Sequence, residues 1–177
     1  MSPFDKVGVY GASGRFPDLL SKTKDLADVF EVVKEAVRVK LGVSRAGLML
    51  GLAELGGDGS SFIGGMYPVA SNIIIVNKGP LERVRASSPE MYKAYVFHIL
   101  LHEYVHSVGY VDEGQARRTT LEISSGLFGK DHLVTRLAED IREFLPMFTY
   151  PIPRPMPEDL QLELVKNFDR SNVNYIL

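Results

Sequence analysis

The stretch from Ser88 to Gly109 limits what this chain can fold into more than any other. Ser88-Pro89-Glu90 carries the marks of a helix start: a capping serine, proline at the first position and an acid in the first turn. The helix should run to about Val108 and stop at Gly109. It carries Met91, Tyr95, Val96, Phe97, Ile99, Leu100, Leu101 and Val105, which are apolar nearly all round. Such a helix is buried. It also contains His98, His102, Glu103 and His106, and buried polar groups need partners.

Three of those polar residues form a pattern. The run His102-Glu103-Tyr104-Val105-His106 continues to Asp112-Glu113 and reads H-E-x-x-H-x-x-G-x-x-D-E. On a helix, His102 and His106 project from one face. Two neutral imidazoles with a carboxylate beside them suit a divalent zinc ion that keeps one position open for water. Gly109 tolerates positive φ and so permits a sharp turn that returns a third ligand to the pair. That ligand is Asp112 or Glu113. Asp112-Glu113-Gly114-Gln115 matches a capping box, and if Asp112 caps the next helix, Glu113 is the better candidate. If the chain stays extended through Asp112, then Asp112 is the ligand. His98, one turn before His102, is a packed core histidine in the first instance and a fourth ligand or second donor in the alternative. His132 opens a later helix and is expected at the surface.

The chain has 177 residues, enough for one domain with a full core, and its 45% hydrophobic and 24% charged residues are ordinary for a globular protein. A net charge of −2 without long charge runs argues against a nucleic-acid or anionic-membrane partner. There is no cysteine, so any metal must use His, Asp or Glu. The most apolar stretch, Ala94 to Leu101, is too short to span a bilayer, and Met1 to Lys6 has no apolar run; a cytoplasmic location is the default expectation.

Elsewhere, Val7–Tyr10 reads as a short strand, Gly11–Gly14 as a turn, and Pro17 to about Lys40 as one helix stopped by Gly42. Gly47–Ala53 reads as a strand, Gly56–Ser60 as a turn and Phe62–Tyr67 as a weak strand. Asn72–Asn77 is an unbroken β-branched run that suggests burial on both faces. Helices are expected over Asp112 to about Ser124, Asp131 to about Leu145, and Glu158 to Phe168. Pro146, Pro151, Pro153, Pro155 and Pro157 make an extended segment between the last two. The simplest organisation is one α+β domain: residues 1–145, with residues 146–177 as a proline-rich extension packed on it. Gly8, Gly11 and Gly14 are spaced G-x-x-G-x-x-G and lack the second strand and acid that a dinucleotide site needs.

From about Asn72 to Gln115 the residues resemble the zincin metallopeptidases, most closely the small domains that carry H-E-x-x-H-x-x-G-x-x-D. The resemblance implies a small mixed sheet packed on helices around a central active-site helix. It implies His102 and His106 as zinc ligands, Glu103 as catalytic base, Gly109 as the turn and Asp112 as third ligand. The gluzincin branch would put Glu113 in that place. It also implies an antiparallel edge strand and an inner strand before the helix, which Phe62–Tyr67 and Asn72–Asn77 fit; Pro68 suits an edge. Met147 is a candidate for the methionine turn of metzincins, although core packing is its ordinary role. Tyr150 could reach the site in the same arrangement.

The function that follows is zinc-dependent hydrolysis of a peptide or protein substrate, through a metal-bound water with Glu103 as general base. The segment from Tyr150 to Pro157 could lie in the cleft as a pseudo-substrate, against the simpler expectation of a surface connector. Two alternatives compete. One is a small metal-dependent ribonuclease with three ligands, disfavoured by the near-neutral charge. The other is a non-catalytic module with a structural metal, disfavoured by the lack of cysteine.

Overall fold

A computed structural model of the protein describes residues 12–57, 62–150 and 152–170. The described residues form a mixed α+β arrangement of seven α-helices, one 3₁₀ turn and a four-stranded sheet. The strand expected at Val7–Tyr10 lies outside the described residues, as do Gly11 and the later part of the Gly56–Ser60 turn.

The N-terminal helical pattern is two helices, not one: α1 (Ala12–Ser21) and α2 (Leu26–Leu41). The expected turn at 11–14 is instead the first turn of α1 from Ala12 onward. The break comes from local side-chain bonds that compete with the helix. Thr23 Oγ1 donates to the Leu20 carbonyl, and Asp25 caps α2 by accepting the Asp28 N–H at 2.8 Å. Gly42 ends α2 at φ +69°.

Strand β1 (Met49–Ala53) pairs in parallel with β3 (Ile73–Asn77), and β2 (Gly65–Met66) pairs antiparallel with β3 at the sheet edge. Four of the five β3 residues are buried, as the β-branched run implied. Asn77 then pins the sheet end. Its Oδ1 accepts Leu55 N–H, and its Nδ2 donates to the Gly56 and Ile63 carbonyls. Helix α3 (Lys78–Arg85), which the hydrophobic pattern did not reveal, follows at once.

Helix α4 (Pro89–Ser107) is capped by Ser88, whose Oγ accepts the Met91 N–H at 3.1 Å. It is the centre of the molecule. Phe97, Leu100, Leu101, Tyr104 and Val105 are fully enclosed, and Tyr104 meets the Phe30 ring of α2 edge-on at 5.4 Å. Helix α5 (Glu113–Phe128) runs back along it. The single helix expected over Asp131–Leu145 is broken into α6 (Leu133–Glu139), a 3₁₀ turn over Ile141–Phe144, and α7 (Leu145–Phe148). Asp140 causes the break. Its backbone is extended, and its carboxylate accepts the Arg142 N–H and pairs with the Arg142 guanidinium.

The last helix expected, Glu158–Phe168, is corrected to a strand. β4 (Glu163–Val165) pairs antiparallel with β1, giving the order β2-β3-β1-β4. Pairing with an open strand offers this segment hydrogen bonds and apolar contact that an isolated helix lacks. Phe168 stacks on Phe30 at 4.1 Å, so the extension supplies core. Asp169 anchors it: Oδ1 meets Lys34 Nζ at 3.0 Å, and Oδ2 accepts from Gly47 N–H at 2.9 Å and Leu48 N–H at 3.3 Å.

Because the Asp169 side chain is 1% exposed, its loss leaves the Gly47 and Leu48 N–H groups without this acceptor and removes one of the carboxylates beside Lys34, which also pairs with Glu31. Asp169→Ala is expected to cost about 3 kcal/mol of unfolding free energy in urea. A change below about 0.5 kcal/mol would show that the anchor is not structural.

Candidate functional site

The site is made where α4 ends and α5 begins. After Ser107 the chain turns through Gly109 at φ +119°, a conformation that side-chain-bearing residues avoid. Asp112 then caps α5, its Oδ1 accepting the Gln115 N–H at 2.8 Å. This places Glu113 on the first turn, facing α4.

His102, His106 and Glu113 converge, with the donor atoms of all three within 4.8 Å of one another. His102 Nε2 lies 3.0 Å from Glu113 Oε1, and His106 Nε2 lies 3.0 Å from Glu113 Oε2. The two rings stand nearly perpendicular with centroids 4.8 Å apart. Of the two carboxylates open for the third position, the geometry brings Glu113 to the histidines, while Asp112 is held at the cap.

The proton positions in this group follow from its neighbours. His106 Nδ1 lies 2.7 Å from the Tyr110 carbonyl, which can only accept, so Nδ1 carries the hydrogen. In the neutral ring Nε2 is then a bare acceptor, and it faces a carboxylate oxygen, another acceptor. Such a pair is satisfied by a proton or a cation between them, and the second imidazole aimed at the same carboxylate suits a divalent ion. The Tyr110 carbonyl also holds the ring in orientation, as outer partners of metal-binding histidines do. Partial burial raises the Glu113 pKa, but His102 and His106 in their protonated forms, together with Arg117, outweigh it and hold the carboxyl below its usual range. Burial, with His106 adding to it, lowers that of His102 despite Glu113. Both shifts favour the deprotonated forms that a metal requires.

Glu103 is 6% exposed and lines the same cleft. Burial first, and the Glu113 charge second, push its pKa up to about 8, against a hydrogen bond donated by the Tyr67 backbone N–H. That bond ties the Glu103 carboxyl to the end of the edge strand. The close approach of β2 to α4 depends on Gly64 and Gly65. A Cβ at Gly64 would run into the Ile99 side chain, and one at Gly65 would sit 2.9 Å from the Ile75 carbonyl and 3.4 Å from Glu103 Cγ.

Arg45 locks these pieces together and was not singled out by any motif. Its guanidinium donates to Tyr67 Oη at 2.6 Å, to the Ser71 carbonyl at 2.6 Å, and to the Ser107 carbonyl of α4 at 2.9 Å. Its backbone N–H donates to Tyr104 Oη. The turn after β2 and the last turn of the site helix are thus held by one side chain.

The cleft has a volume of about 960 Å³ and is bordered by residues 62–67 on one side and residues 137–142 on the other. Other expected participants lie elsewhere. His132 caps α6, its Nδ1 accepting the Val134 N–H. Met147 is 42% exposed and does not border the cleft. Tyr150 packs between the Arg83 and Arg154 guanidinium groups beside a separate, small hollow. The pseudo-substrate idea is likewise corrected: Arg154 pairs its backbone with Gly57, so this part of the extension lies along that loop, away from the histidines. His98 is enclosed beside His102 and borders the cleft, outside the converging group.

No protein-family model, no curated protein and no solved structure matches this chain. No described helix is long and apolar enough to cross a membrane.

Burial holds His98 down to about pKa 3, with His102 adding to the effect. The unfolded chain therefore takes up a proton near pH 6.5 that the folded metal-free protein refuses. This contribution to stability is complete above about pH 6.5 and falls by about 1.4 kcal/mol per pH unit below it, toward pH 3. Denaturation of metal-free protein at pH 7.5 and 5.5 should show the loss, and His98→Phe should reduce it. An equal midpoint at both pH values would contradict the burial of a neutral imidazole.

Proposed function

We propose that the protein is a zinc-dependent peptidase, with His102, His106 and Glu113 holding the ion and Glu103 acting as general base. The observation that carries this reading is the convergence of two imidazoles and a carboxylate on one point, with a second, buried carboxylate on the same turn of α4. A nitrogen- and oxygen-donor set of three, open to a wide cleft, fits catalytic zinc better than structural zinc, which fills its fourth position with protein.

When bound, the ion supplies Lewis acidity: it polarises the scissile carbonyl and acidifies water. The remaining work falls to the chain. His102 and His106 present their Nε2 atoms because α4 and the Tyr110 carbonyl fix the rings. Glu103, adjacent to His102 and oriented by the Tyr67 N–H, accepts a proton at its carboxylate and returns it to the leaving amine. Among the described residues β2 pairs only with β3, and Gly65 and Met66 also border the cleft, so an extended peptide can add there as a further strand. The rim carries both signs, with Arg117 paired to Glu113 and Arg142 paired to Asp140. A mixed rim favours a peptide over the polyanionic backbone of a nucleic acid.

Two experiments test this. Glu103→Gln is expected to bind zinc like the parent and to lose peptide hydrolysis by about 10²- to 10⁴-fold; full activity in that variant would remove Glu103 as the base. For the third ligand, Glu113→Ala should abolish stoichiometric zinc binding in titration calorimetry. Asp112→Ala should retain the metal and lose about 1 kcal/mol of stability through the cap. The reverse pattern would assign the ligand to Asp112.

A further inference from the structure

The sheet ends on an open strand. Among the described residues β4 pairs only with β1, so its other side offers backbone N–H and C=O groups to a further strand. Val165 turns inward with Leu50 onto the main core, whereas Leu164, opposite Gly51, faces the other way. Leu162, just before β4, shares that outer face: a Cβ at Gly51 would sit 3.0 Å from its Cδ2. Met49 of β1 lies on the same face by strand alternation. Leu160, Leu162 and Leu164 are 40%, 47% and 56% exposed, and Met49 is 42% exposed. Exposed leucines at every second position along a sheet edge mark a place where another strand adds.

We propose that this edge pairs with the same edge of a second copy, antiparallel about a two-fold axis at Leu162, so that the protein is a dimer with one continuous sheet. The order of residues along the edge selects both the occupant and the register. Side chains opposite each other in a sheet share a face, so a two-fold axis normal to the sheet passes through a residue position. Residues equally far before and after that position then meet. With the axis at Leu162, Leu164 meets Leu160 of the partner subunit, and Lys166 meets Glu158 of the partner subunit. Symmetry makes each contact twice. Glu163, already paired with Lys78, meets the neutral Gln161 of the partner subunit. Moving the axis spoils the match. At Glu163 two carboxylates would face each other, at Leu164 the lysine would meet a leucine, and at Gln161 the Glu163 carboxylate would meet Asp159 of the partner subunit. Lys166 and Glu158 are exposed, and neither joins an ion pair of its own chain among the described residues. The edge thus carries opposite charges at its two ends with leucines between them, and is complementary to itself. The cleft is bordered by β2 at the other edge of the sheet, so pairing here leaves it open.

Sedimentation of the full chain from about 1 to about 100 µM should show a monomer–dimer equilibrium. Lys166→Glu sets like charges opposite each other twice and should weaken the dimer about tenfold or more, with an unchanged far-UV circular dichroism spectrum. Adding Glu158→Lys restores opposite charges in the swapped order and should return the dissociation constant to within about threefold of the parent. A chain that stays monomeric throughout leaves this edge to another occupant and overturns the proposal. A dimer indifferent to Lys166→Glu forms through another surface, and one that Glu158→Lys fails to recover pairs in another register; either result overturns it as well.

Discussion

A helix enclosed by protein on nearly every side cannot carry two imidazoles and a carboxylate without compensation. That constraint on α4 governs the arrangement around it. Tyr104 and Leu100 have packed partners in the core, whereas His102, Glu103 and His106 turn toward a single opening. The opening exists because Gly109 lets the chain reverse and Asp112 starts a new helix at once, setting Glu113 opposite the rings. His106 and Glu113 then face each other acceptor to acceptor, and the charge that reconciles them is the centre of the proposed chemistry.

The surrounding fold makes this small group rigid. Arg45 bridges the end of α4 and the turn after the edge strand, while Asn77 fixes the approach to that strand from the sheet side. Gly64 and Gly65 let the strand come close enough for the Tyr67 N–H to hold Glu103. At the far edge of the sheet, β4 and Asp169 close the structure against β1 and α2. The described part of the C-terminal extension therefore contributes to the core through Phe168, and residues 152–170 do not border the cleft.

Much of this was written in local pattern. The α4 boundaries, the β3 burial, the Gly42 stop and the meeting of His102 with His106 follow from caps, periodicity and helical spacing. Even the place of Glu113 was conditional on one local fact, whether Asp112 caps a helix. Tertiary pairing was less visible. The alternation of Leu160, Leu162 and Leu164 with Gln161 and Glu163 is a strand signal, but the proline run before it and the absence of a neighbouring strand in sequence obscured it. Thr23, Asp25 and Asp140 broke apolar stripes through side-chain bonds that hydrophobic periodicity does not register. Arg45 had no motif at all: its role comes from three backbone or hydroxyl acceptors that the fold alone assembles.

X-ray absorption at the zinc edge, on purified full-length protein loaded with one equivalent of zinc, tests the central claim most directly. The expected spectrum is a light-atom shell with two imidazoles and further oxygen, reduced to one imidazole in His106→Ala. A folded protein that fails to hold zinc, or one whose spectrum is unchanged in that variant, would contradict the account.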